Sequence, residues 1–91
     1  MIAPVLNLNG TSTTTLLSEY VQAAHAVRQA INAVQNITVH GRDFQTAEPG
    51  LYAKARDEQV ERLRKLESVL DEIQQLQEAV YEQHEQHLGR R

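Results

Sequence analysis

Of the 21 charged side chains in this sequence, 19 lie in residues 42–91, and residues 1–41 hold only Glu19 and Arg28. An almost uncharged first half cannot present a solvated face on every side, so the chain has to bury more of that half than one neighbour can cover. Within it Leu17, Tyr20, Ala24, Val27, Ile31 and Val34 step by three and four, and Leu16, Ala23, Ala30 and Ile37 recur every seventh residue beside them. Two adjacent apolar columns at this spacing make one broad face of a single helix. The other positions, Ser18, Gln22, Gln29, Asn32, Gln35 and Asn36, are polar but uncharged. Such a helix is expected to be contacted by more than its own hairpin partner.

The second half carries a different pattern. Residues 40–50 break the periodicity, with Gly41 suited to a left-handed helix cap and Pro49 disfavouring a helix at Glu48. Leu63, Leu66, Leu70, Ile73 and Val80 then form a heptad-like seam, widened by Val60, Val69 and Leu76, with Glu58–Arg62 and Glu61–Lys65 as ion pairs four apart on the wet side. The expected fold is all-α: an antiparallel two-helix hairpin in one domain, with an extended N-terminal arm over 1–10, helix one over 11–39, a loop over 40–50 and helix two over 51–88. At 1.5 Å per residue the helices would run roughly 42 and 57 Å, leaving the Tyr81–Leu88 end of the second overhanging. Ile2, Val5, Leu6 and Leu8 of the arm are expected to be buried there or on a neighbouring chain. Ninety-one residues without cysteine supply only a small core and no disulfide, so oligomerisation into a helical bundle is the expected remedy. Its interface is assigned to Leu16, Tyr20, Ala23, Ala24, Val27, Ala30, Ile31 and Val34.

Several function classes fit poorly. A formal charge of −3 and a pI near 5.7 argue against duplex nucleic acid as a partner. No segment approaches the roughly 20 apolar residues of a membrane span, and the start lacks the basic region of a signal peptide, so a cytoplasmic location is expected. Ser12, Ser18 and Ser68 have no nucleophile-elbow context, and no Gly-rich phosphate loop occurs, so catalysis is not expected. His84 and His87 sit three apart but lack the further ligands a zinc site needs, which leaves no metal or cofactor expected.

The stretch richest in chemistry is the loop, where His40, Arg42, Asp43 and Phe44 fall between two helix ends, with Tyr52 just beyond. A guanidinium fork matches phosphate or carboxylate, aromatic rings stack on bases, and a helix start attracts anions. The competing reading is a capped turn in which Arg42 and Asp43 are solvated and Phe44 plugs the end of the hairpin.

Leu6-Asn7-Leu8-Asn9-Gly10-Thr11-Ser12, paired with His40-Gly41-Arg42-Asp43-Phe44 before a Leu-rich helix, resembles small helical-hairpin proteins of tailed phages and prophages. In architecture the chain is also similar to phage anti-defence proteins that oligomerise and act as sponges for cyclic nucleotide signals of the host. The resemblance implies a non-catalytic oligomer in the host cytoplasm that sequesters a small anionic ligand, plausibly such a nucleotide. In that reading Arg42 binds phosphate, His40 donates, Phe44 or Tyr52 stacks, and Thr11 or Ser12 of another subunit contributes. The alternatives are a structural or assembly protein of the virion, and a protein-binding inhibitor of a host factor.

Overall fold

A computed structural model describes residues 1–6, 12–44 and 48–89, with side chains given up to Gln86. The architecture is an antiparallel hairpin of helix α1, Thr13–Gln35, and helix α2, Leu51–Gly89, joined through a 3-10 turn at Gly41–Phe44. Among the described residues there is no strand, and no helix is long and apolar enough to cross a membrane.

Ser12 caps α1, its hydroxyl oxygen accepting from the Thr15 N–H at 3.2 Å and donating to the Thr15 hydroxyl at 2.7 Å. Thr15 thus occupies the position where a capping box has Glu or Gln. At its far end α1 stops at Gln35, four residues short of the expected Val39. The reason is a contact from 25 residues away. The Gln59 side-chain amide donates to the Val34 carbonyl at 2.6 Å, and the Ile37 N–H reaches the same oxygen at 3.0 Å. That tightened i to i+3 closure takes the carbonyl that a continuing α-helix would offer to Thr38. Gln59 is itself buried, and its carbonyl oxygen accepts from Arg62 at 3.2 Å.

Gly41 does not adopt the left-handed conformation expected of it; Gly50, at φ +90°, is the glycine that does. There Glu48-Pro49-Gly50-Leu51 closes a turn with Leu51 N–H donating to the Glu48 carbonyl at 3.2 Å. Proline second and a positive-φ glycine third are the residues a type II turn requires. The Gly50 carbonyl then accepts from the Lys54 N–H at 3.1 Å to start α2. On the wet side the Glu58–Arg62 pair forms at 3.5 Å. Glu61 pairs with Arg64 at 3.2 Å instead of the expected Lys65, a choice of i+3 over i+4 partner.

The apolar core is thin. Among the described residues Ala24, Ile31 and Val80 are its buried apolar members, while Tyr20, Val27, Val34, Leu63, Leu66, Leu70 and Ile73 are half-buried along the seam. The molecule is a rod of 68 × 20 × 19 Å with a radius of gyration of 19.8 Å, where a compact chain of this length has about 12 Å. It exposes 7169 Å², roughly 1,800 Å² more than the about 5,400 Å² of a compact monomer of its mass.

Residues 1–6 carry no helix and lie against the overhanging end of α2. The Gln83 amide donates to the Pro4 carbonyl at 2.7 Å and accepts from the Leu6 N–H at 3.0 Å. One side chain thereby imitates one residue of a neighbouring strand. Leu6 is half-buried, but Ile2 and Val5, expected to be covered, are 94% and 83% exposed. Within a single chain the segment is held by its backbone, and these apolar side chains add no burial. Leu8 and the rest of 7–11 lie outside the described residues. Gln83→Ala is expected to bring the Leu6 amide to the exchange rate of an unstructured peptide, with only a small change in melting temperature, measurable by hydrogen exchange with NMR detection.

Candidate ligand site at the hairpin turn

The turn is organised by His40. Its Nδ1 accepts from the Arg42 backbone N–H at 3.1 Å, and its carbonyl accepts from the Asp43 N–H at 3.0 Å. The first bond needs an unprotonated Nδ1 and leaves Nε2 as the ring's free donor. These bonds fold the 3-10 turn and send Arg42 and Asp43 outward, both exposed. Neither is in an ion pair among the described residues.

Phe44 closes the turn half-buried, its ring centroid 6.1 Å from that of Tyr52 with the planes tilted by 45°. On Tyr52 sits Arg56, its guanidinium carbon 5.6 Å from the ring centroid. Both distances fall in the ranges for aromatic pairing and cation–π attraction. The outcome is a ladder of Phe44, Tyr52 and Arg56 running from the turn onto the first two turns of α2, with Arg42 exposed two residues before Phe44. Arg56 was not singled out in the sequence, although its spacing of four from Tyr52 on a helix was the signal for it. Exposed Arg42 and Asp43 with Phe44 half-buried against Tyr52 is the arrangement the capped-turn reading describes, and Arg42 in that position is also open to a ligand.

Ser12 is at the other end of the hairpin, the 23-residue length of α1 away, or about 35 Å. It can join the turn only from a second chain; Thr11 lies outside the described residues. Of the residues assigned to an oligomer interface, Ala24 and Ile31 are buried inside the single hairpin, and Leu16, Tyr20, Ala23, Val27, Ala30 and Val34 are half-buried.

A second concavity went unrecognised in the sequence. Leu17, Val21 and Arg28 of α1 and Gln74, Gln77, Glu78 and Tyr81 of α2 line an open groove of about 610 Å³. The Glu85 carboxylate near the Tyr81 phenol favours its protonated form and repels its anion, which raises the phenol above its ordinary titration range. Its residues are separated by more than 45 positions in the chain, so only the hairpin register brings them together. His84 is half-buried on α2, the His87 side chain is outside the described residues, and no three potential metal ligands converge among the described residues.

Comparison with protein-family models, with curated proteins and with solved structures gave no match.

Proposed function

We propose that this protein is a non-catalytic, self-associating binding protein that captures a small phosphate-bearing ligand, of the class of cyclic nucleotide signals, at the turn end of its hairpin. The observation that supports this most is the Phe44, Tyr52 and Arg56 ladder, with Arg42 exposed on the turn that leads into it and in no ion pair among the described residues. A fork for phosphate and a pair of tilted aromatic rings lie within one turn and the start of one helix. His40 Nε2 supplies a further donor, and Asp43, on the same turn, disfavours ligands that offer only negative charge along that edge. In this reading the protein acts in the host cytoplasm.

Arg42→Ala is expected to lower affinity for a bound cyclic di- or trinucleotide by at least 30-fold in calorimetry, while helicity and mass stay unchanged. Truncating one member of a charge pair costs about 2–5 kcal/mol where the bound ligand takes the pair out of water. Arg56→Ala is expected to weaken binding less, because its guanidinium already spends itself on Tyr52. Absence of heat from the whole panel, with the protein recovered in phage particles, sinks the ligand reading in favour of a structural or assembly role in the virion. The exposed apolar side chains of the rod, Ile2, Val5 and Ile37 among them, favour that second reading.

A further inference from the structure

The groove between the helices is a surface separate from the turn. Leu17, Val21 and Arg28 form its α1 wall, and Gln74, Gln77, Glu78 and Tyr81 its α2 wall, around about 610 Å³. Val21 stands roughly 20 Å along α1 from the helix end at Gln35. Val21 and Tyr81 are 50% and 52% exposed and Leu17 is half-buried, so apolar surface stays open between the helices. A gap between two antiparallel helices is where a third helix seats in a bundle.

The two walls differ in charge. On α2 the columns Glu67, Gln74, Tyr81 and Asp71, Glu78, Glu85 each step by seven, which keeps a column on one face of the helix to within about 20° per step. Gln74, Glu78 and Tyr81 line the groove, so Glu67, Asp71 and Glu85 continue the same face along the helix. All four acids are exposed, and residues 66–89 contain no lysine or arginine. None of the four is in an ion pair among the described residues, and Asp71 accepts from the neutral Gln75 amide at 2.7 Å. Arg28 on the opposite wall is in no ion pair among the described residues either, although it lines the same groove as Glu78. Opposite charges that line one groove without meeting suit a segment lying between them, with cations for the α2 wall and an acceptor for Arg28. The acid stripe repels a phosphate backbone or an anionic lipid surface. This chain's own cationic stretch, Lys54 to Lys65, is a poor match for the stripe. It is interrupted by Asp57, Glu58 and Glu61, and two of these already hold Arg62 and Arg64.

We propose that the groove receives an amphipathic helix of a partner protein, with its apolar side chains on Leu17, Val21 and Tyr81 and a basic edge along Glu67, Asp71, Glu78 and Glu85. The stripe from Glu67 to Glu85 runs about 27 Å, the length of a helix of about 18 residues. This is helix-in-groove recognition. Tyr81 is its anchor, since a large aromatic side chain carries binding energy once water is excluded around it. The acid stripe sets the orientation and speeds encounter more than it adds affinity. None of the residues used belongs to the ligand site at the turn, so either reading can fail without the other.

The probe is a fluorescein-labelled synthetic helix of about 18 residues, with Leu on its inner face, Lys along one edge and Gln elsewhere. In a comparison peptide Glu replaces every Lys. Fluorescence anisotropy with the full-length chain is expected to show saturable binding of one Lys peptide per chain, weakened by added salt. Binding of the Glu peptide is expected to be at least 30-fold weaker. Glu78→Gln combined with Glu85→Gln is expected to weaken the Lys peptide at least 10-fold, and Val21→Asn to a similar extent. Helicity is retained in these variants, because all three side chains are exposed. Glu19→Gln combined with Glu72→Gln removes the same charge outside the two columns and is expected to change binding less than twofold. Equal losses from the two double variants would reduce the effect to net charge and overturn the proposal. Equal binding of the two peptides overturns it as well, as does no binding of the Lys peptide. A lower mass of the peptide-free protein in Val21→Asn would assign the groove to a second copy of the chain, which also overturns a partner of another kind.

Discussion

Gln59→Leu is expected to lower the melting temperature by roughly 10 °C, which circular dichroism at fixed protein concentration measures directly. The side chain is 8% exposed, donates to the Val34 carbonyl at 2.6 Å and accepts from Arg62. Leucine fills the volume but removes the bond to the Val34 carbonyl, which keeps only the Ile37 N–H, and the bond from Arg62. Hydrogen bonds contribute about 0.5–1.5 kcal/mol each, and up to about 3 where one partner is charged, and each kcal/mol shifts a domain of this size by about 4–8 °C. Gln59→Glu is expected to be worse at neutral pH, since a carboxylate would face a carbonyl oxygen with nothing to donate. Only the protonated acid restores the bond, so folding raises the carboxyl pKa above its unfolded value. The stability it contributes is fully present below the unfolded pKa and is lost as pH rises through the folded one. The glutamate variant should therefore recover toward wild type on mild acidification, and the leucine variant should not.

Ile31→Ala is expected to cost more, about 2–5 kcal/mol, in the range for large-to-small substitutions at buried sites. With Ala24 and Val80 as the other buried apolar residues among those described, there is little surrounding core to take up the loss. Val60→Ala is the control. Val60 is 50% exposed, and substitutions on such surfaces stay within about 0.5 kcal/mol apart from the gain in helix propensity. Chemical denaturation of the two variants side by side should separate them by at least 2 kcal/mol. Equal losses would mean that Val60 is covered by another chain.

That contrast shows what periodicity alone conveys. Residue spacing located both helices and the break between them, because amphipathic faces are a local property of the chain. It also counted Val60 and Val69 into the α2 seam, where the structure leaves them half out in solvent. Spacing tells which residues share a side of a helix but not how wide a strip the partner covers. The end of α1 was misjudged for a different reason: the group that stops it, Gln59, comes from the other helix. Gly41 and Gly50 exchanged roles because the connection turns on the Pro49-Gly50 pair, a sequence signal that was read for proline alone. At the candidate site His40, Arg42, Asp43 and Phe44 were found by composition. Arg56 was missed because its role depends on where Tyr52 points. Ile2 and Val5 were expected to be buried since they are apolar, and one chain gives them nothing to bury against. A reading of residue types cannot distinguish surface meant for the same chain from surface meant for another.

The most direct measurement is a native mass spectrum of the protein purified gently from cells. The expected result is an assembly of at least two chains carrying additional mass that corresponds to a bound phosphate-bearing small molecule, released on denaturation and lost in Arg42→Ala while the assembly remains. A stable single chain of 10.3 kDa at micromolar concentration with no added mass would contradict both the self-association and the ligand.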